Sequence, residues 1–231
     1  MQSNIATDPF FGIVLTIIIF SIAKNIRGKI NFALFNPLLT SVIAIIIILK
    51  VLRIEYSTYY IGGSILNALI GPATVALAIP LYKNFDLLIK NYVSILAGII
   101  IGNTINILNI IFLTKALSYS TEMTISFLPK AITTAIAVGV TKSLGGILPI
   151  TVVLVILTGI SGAIFGPFIL KLLRVDDEVS IGVALGSSSH AIGTSRAIEY
   201  SERAGAIAGL SIVITGVFVI FIAPIAIRFL V

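Results

Sequence analysis

The chain has 231 residues, of which 58% are hydrophobic and only 10% charged. A soluble domain carries about 25% charged residues in its hydrated shell, so this composition excludes a soluble globular fold and points to lipid as the solvent. The absence of cysteine excludes disulfides and thiolate metal sites. One histidine and nine carboxylates, mostly at segment ends, give no reason to expect a metal or another cofactor, and the dispersed +6 charge suits membrane anchoring rather than a nucleic-acid surface.

At about 20 residues per crossing, the apolar runs predict an all-α polytopic membrane protein with about eight hydrophobic segments, in one domain over residues 1–231. The first segment, Pro9–Ala23, closes on the basic loop KNIRGK; the opening MQSNIATDPF lacks the basic region of a secretion signal. The second covers about Phe32–Val51 and is followed by LRIEYSTYY, whose Tyr56, Tyr59 and Tyr60 suit a membrane–water interface. The third, Ile61–Tyr82, is interrupted at Gly71-Pro72 and again at Pro80, and the fourth is Tyr92–Leu113. The fifth, about Met123–Val140, contains LPKAITT, and the sixth, Ile147–Leu172, carries Gly159, Gly162 and Gly166. The seventh, Val179–Ile198, carries the polar stretch GSSSHAIGTSRAIE, and the eighth is Ala204–Leu230.

An internal repeat is visible. NPLLTSVIAIIIIL from Asn36 is similar to LPITVVLVILTGI from Leu148, and Pro9 matches Pro129. Repeat one then covers about 9–114 and repeat two about 123–230, with the broken segments three and seven as counterparts. Corresponding interrupted segments point to a transporter's binding site. Four crossings per half make the repeats parallel; three crossings, with segments three and seven re-entrant, make them inverted. The distribution of basic residues does not decide, and by analogy with small transporters inverted repeats are expected.

Nearly every charge falls at a segment end. Lys130 and Arg196 do not, and His190 and Glu199 lie near Arg196. A charge at mid-bilayer costs about 2.5–3.5 kcal/mol, so it normally faces a cavity or a partner. In LPKAITTAIA, Pro129 interrupts the helix, and Thr133 and Thr134 can begin a half-helix whose free N–H groups, with Lys130, bind an anion. The simpler reading is a helix start with a snorkelling lysine.

In the seventh segment Gly186 and Gly193 permit an unwound backbone. Ser187, Ser188, Ser189 and Thr194 supply hydroxyls, Arg196 a fork that matches a carboxylate, and His190 or Glu199 a carrier for a coupling proton. The competing reading pairs Arg196 with Glu199 on one helix face and leaves His190 as a helix bridge. Asn67 and Thr74, flanking the Gly71-Pro72 break, complete the candidate site; otherwise that break is an ordinary proline kink. Ser189, His190 and Glu199 have triad residue types, but neither a nucleophile elbow nor a Walker-type loop is present, so an enzyme is not expected.

At these motifs the chain resembles the LrgB/CidB family of bacterial membrane proteins. The resemblance rests on NPLL (from Asn36), LIGPATVALAIPLYKN (from Leu69), LPKAITTAIA (from Leu128), GGILPITVVLVILTGISGAIFG (from Gly145) and VALGSSSHAIGTSRAIE (from Val183), in the family's order along essentially the whole chain. Where the family pattern has Ser after Lys130 and Pro after Thr134, this chain has Ala131 and Ala135. The resemblance implies a multi-pass protein of the bacterial cell membrane and two functions. One is a transporter of small monocarboxylates such as pyruvate or glycolate, as in the related plastid glycolate/glycerate transporter, acting by alternating access. The other is an antiholin-like component that controls murein hydrolase export and autolysis with a small LrgA/CidA-like membrane partner. Arg196 is expected to clamp the carboxylate, with Thr133, Thr134, Ser189 and Thr194 on its oxygens. The glycines of segment six permit close packing within the chain or in a homo-oligomer.

Overall fold

The structure, a computed structural model, describes residues 8–29, 37–69, 72, 75, 76 and 78–228. Every regular element among them is a helix. Four described helices are long and apolar enough to cross a membrane: Pro9–Lys29, Phe85–Ala116, Leu148–Leu172 and Glu202–Ile227. The chain divides into two units, Met1–Ala76 and Leu77–Val231.

In the first unit α1 (Pro9–Lys29) packs on α2 (Pro37–Val51) and on α3 (Tyr56–Ala68). Helices α1 and α3 cross where Gly12 meets Gly62; a Cβ on either would run into the other helix's backbone. Small residues at such a crossing let two backbones touch. The hydroxyls of Thr16 and Tyr59 bond across it at 2.8 Å. Tyr56 and Tyr60 stack with ring centroids 5.5 Å apart at the start of α3, an arrangement that suits the expected interface. Gly71 and Thr74 lie outside the described residues, as does the start of the second predicted segment.

The second unit contains α4 (Ala78–Lys83), α5 (Phe85–Ala116), α6 (Thr121–Phe127), α7 (Thr134–Leu144), α8 (Leu148–Leu172), α9 (Glu178–Ile198) and α10 (Glu202–Ile227). Helix α5 starts seven residues before the predicted fourth segment; Asp86 in its first turn complements the helix dipole, so the helix begins among polar residues. Helices α5 and α10 run in the same direction. Lys83, just before α5, reaches Glu202 at 3.6 Å, while Ile107 and Ile110 share a buried cluster with Ala223 and Ala226 towards the other end. Helix α8 runs the opposite way: Val155 belongs to that far cluster, and Leu170 packs with Ala204 and Ala208 near the start of α10.

The fifth and seventh predicted segments do not cross as single helices; each folds back on itself. In the fifth, Thr151 donates to the carbonyl of Ser126 at 3.1 Å and shares a 2.9 Å bond with the hydroxyl of Thr141. Ser126 and Thr141 therefore meet at one threonine, whereas the fifteen residue steps from one to the other would span about 22 Å of continuous helix. The limb through Pro129 descends by tight turns, with Leu128 N on Ile125 O, Lys130 N on Phe127 O and Ile132 N on Pro129 O at 3.2–3.3 Å. Helix α7 then returns and ends at Gly145, whose φ of 82 makes a left-handed cap.

In the seventh segment the backbone leaves helical geometry at Ser189 (φ −136, ψ 15) and His190 (φ 44, ψ −136). The expected breaks at Gly186 and Gly193 are displaced to these two residues because both glycines serve close packing. A Cβ on Gly186 would strike the backbone of Ala208, and one on Gly193 the carbonyl of Leu185. The two limbs of α9 lie against each other, and its two ends come together. Gly182 packs on Ala204, Ile198 packs on Gly205, and Glu178 pairs with Arg203 at 3.5 Å. Sixteen residues of straight helix from Gly182 to Ile198 would span about 24 Å. The hairpin over 121–144 thus opens at the end where α5 finishes, and α9 opens at the end where α10 starts. Beyond residue 116 the described helices long and apolar enough to cross are therefore α8 and α10, where three or four crossings were expected in the second half.

Helices α2 and α8 end alike. Arg53 in KVLRIE and Arg174 in KLLRVD both take φ 55, and the next residue's N–H, of Ile54 and of Val175, bonds five residues back at 2.9 Å. This is the Schellman type of helix end.

Candidate functional site

The two hairpins meet on α8. The Oγ of Ser189 fills the space that a Cβ on Gly162 would need, and the ring of His190 sits 2.6 Å from the corresponding position on Gly159. Both glycines lie near the middle of the 25-residue α8. The Nε2 of His190 is 3.0 Å from the carbonyl oxygen of Val155. A carbonyl only accepts, so this nitrogen carries the hydrogen and the ring is tied to α8. The hydroxyl of Thr194 donates to His190 O at 3.1 Å and closes the turn from the other limb.

Beside this contact lies a half-open cleft of about 590 Å³, with Leu157, Phe165 and Ile169 of its lining exposed. Helix α5 contributes Gly102, Asn103 and Asn106, and the descending limb of the first hairpin contributes Phe127, Lys130 and Ala131. Helix α8 adds Thr158 and Ser161 between the apolar Leu154 and Leu157 on one side and Phe165 and Ile169 on the other; α9 adds Ser187, Ser188 and Ser189. Among the described residues of this lining Lys130 is the one that is charged, and none is a carboxylate. Asn103 is buried and spends its amide N–H on Ile99 O at 2.9 Å, and Ser188 spends its hydroxyl on Ala184 O at 2.6 Å. The Oγ atoms of Ser188 and Ser189 lie 2.9 Å apart. The cavity therefore offers one cation, several hydroxyls and amides, and no negative charge.

The structure brings together Lys130 and Ser189 from the residues expected to form a site. Thr133 caps the start of α7 with its backbone, and Thr134 is exposed in that helix's first turn; neither lines the cavity. His190 and Thr194 are buried behind the cavity wall. Arg196 is bonded to Glu199 three residues on, with its Nε buried and unpartnered, and neither residue lines the cavity. Asn67 is exposed on α3, and Pro72 is exposed; both belong to the first unit. Sequence reasoning did not select Asn103, Asn106, Thr158 or Ser161. Their signal is polar side chains three apart within apolar helices, which places each pair on one face. Among the described residues no cluster of His, Asp and Glu could hold a metal.

The model of the LrgB-like family matches residues 16–229. The chain is 37% identical to an uncharacterized protein of Bacillus subtilis strain 168, YxaC, over 215 residues, which is 93% of this chain and 94% of that one. It is 35% identical to a second uncharacterized protein of the same strain, YwbG, over 224 residues, 96% of this chain and all of that one. No solved structure matches.

Proposed function

The chain belongs to the LrgB-like family, and from that premise we propose that it is a secondary transporter of small monocarboxylates in the bacterial cell membrane. The observation that carries this reading is Lys130, the one charge in the lining of a cavity walled by hydroxyls and amides where two helical hairpins meet. A cation held at that depth costs insertion energy and is normally balanced by a partner or a substrate. With no carboxylate in the lining, a substrate anion is the partner that fits.

In this mechanism the substrate carboxylate pairs with Lys130. The hydroxyls of Ser189, Thr158 and Ser161 and the amide of Asn106 receive its remaining oxygens. Lys130 takes the clamp role that the sequence suggested for Arg196, whose guanidinium is engaged by Glu199. The hairpins open at opposite ends of the unit, so each stands between the cavity and one side of the membrane. Alternating access then consists of one hairpin at a time moving off the cavity.

The test is uptake of radiolabelled pyruvate and glycolate into proteoliposomes that also hold a trapped dye. Saturable uptake with the dye retained, lost in Lys130→Gln, is the expected result. The antiholin-like alternative makes no use of Lys130; dye release without saturable uptake would support it and sink the transporter reading.

A further inference from the structure

Gly102 stands in the interior of α5 on the cavity wall. A glycine inside a helix costs about 1 kcal/mol relative to alanine, so it calls for a reason. Packing supplies one for its neighbour a turn earlier: a Cβ on Gly98 would lie 3.2 Å from Val183 Cγ1. Packing supplies none for Gly102, where a Cβ would meet nothing within 4 Å. Gly102 is exposed and lines the cleft, so its missing side chain leaves room there. That cavity, about 590 Å³, falls within the range of roughly 300–1,000 Å³ typical of sites for drug-sized ligands. A three-carbon acid leaves most of it empty, against a wall that includes Phe127, Leu154 and Leu157.

We propose that Gly102 is a size-determining position, and that the preferred substrate is a 2-oxo or 2-hydroxy monocarboxylate with a branched aliphatic body. Its carboxylate lies on Lys130, and its body lies over Gly102 and against the apolar wall. The second oxygen beside the carboxylate uses the donors that one carboxylate leaves over, since Thr158 and Ser161 each bring a hydroxyl. This inference rests on the monocarboxylate reading of the same cavity.

The experiment is competition of labelled pyruvate uptake in proteoliposomes of the full chain by unlabelled pyruvate and by 4-methyl-2-oxopentanoate, for the wild type, Gly102→Ala and Gly102→Val. The wild type is expected to be inhibited by the branched acid at lower concentration than by pyruvate. Gly102→Val should weaken competition by the branched acid by about tenfold or more beyond any loss for pyruvate, since even one methylene in an apolar pocket changes discrimination by about tenfold or more. Gly102→Ala, which adds one methyl group, should shift the balance between the two acids in the same direction and by less. If the branched acid does not compete with saturable pyruvate uptake in the wild type, the inference falls and the monocarboxylate reading stands. A Gly102→Val chain that loses both acids equally, while eluting as a folded protein, also overturns the size role. If no acid is taken up saturably, both readings fall.

Discussion

Ser189 stands on Gly162: the serine hydroxyl occupies the place where a side chain on α8 would begin. The hairpin tip is thereby keyed to the middle of a crossing helix, and the fit can be challenged from either side.

Gly162→Ala puts a methyl group into the serine and should shift the tip of α9. Overpacking of this kind costs about 1–3 kcal/mol, read as a lower melting temperature in detergent and reduced uptake. Ser189→Gly in the same chain removes the obstacle and should recover most of the stability, a coupling that a double-mutant cycle measures. Additive losses would show that the two residues do not touch.

The fold-back of α9 predicts membrane sidedness. The chain has no cysteine, so single cysteines can be introduced without further change. Asp177→Cys and Ser201→Cys should label from the same side with an impermeant thiol reagent. Ser120→Cys and Ser143→Cys should both label from the other. Opposite labelling of positions 177 and 201 would mean that the segment crosses.

Lys130→Gln removes the one charge in the cavity lining. Hydrogen bonds to charged groups contribute about 1.5–3 kcal/mol, so uptake at low substrate should fall by one to two orders of magnitude. Lys130→Arg, which keeps the charge, should lose less. Unaltered kinetics in Lys130→Gln would remove the lysine from the site.

Arg196→Gln should behave differently. Its partner Glu199 is largely exposed, and pairs of that kind contribute about 0.2–1 kcal/mol. Uptake is expected to persist with a modest loss of stability. A loss as complete as that of Lys130→Gln would return Arg196 to the binding role its fork geometry first suggested.

His190 holds φ 44 without being glycine. Such a conformation costs about 1–3 kcal/mol in a residue with a Cβ. His190→Ala loses the bond to Val155 and keeps the strain, whereas His190→Gly loses the bond and releases it. The glycine variant should therefore melt higher than the alanine variant, and the reverse order would argue that the backbone is relaxed in solution.

Part of the cleft's lining was legible in the sequence. Lys130 and the serines of GSSSH stood out because polar groups inside apolar runs require a reason, and the break after Pro129 follows from its missing N–H. The fold-back was harder to read. Twenty-one residues, most of them apolar or small, suit a crossing or a hairpin equally, and the reversal in α9 falls on Ser189 and His190, between two glycines that any sequence reading would choose first. Arg196 is conspicuous by its charge, and of its two sequence readings the structure shows the pair with Glu199, three residues on, while its Nε stays buried and unpartnered. Asn103, Asn106, Thr158 and Ser161 give a fainter signal, because single polar residues in a membrane helix commonly bond their own backbone, as Asn103 does.

Because α9 begins and ends at one face of its unit, it adds no net passage to the path of the chain. Lengthening it, shortening it or rewriting its tip would leave α10 pointing the same way. The hairpin at 121–144 has the same property with respect to α8. Lys130 and Ser189 are thus carried on two detours, and these can change without reversing the orientation of any helix that follows.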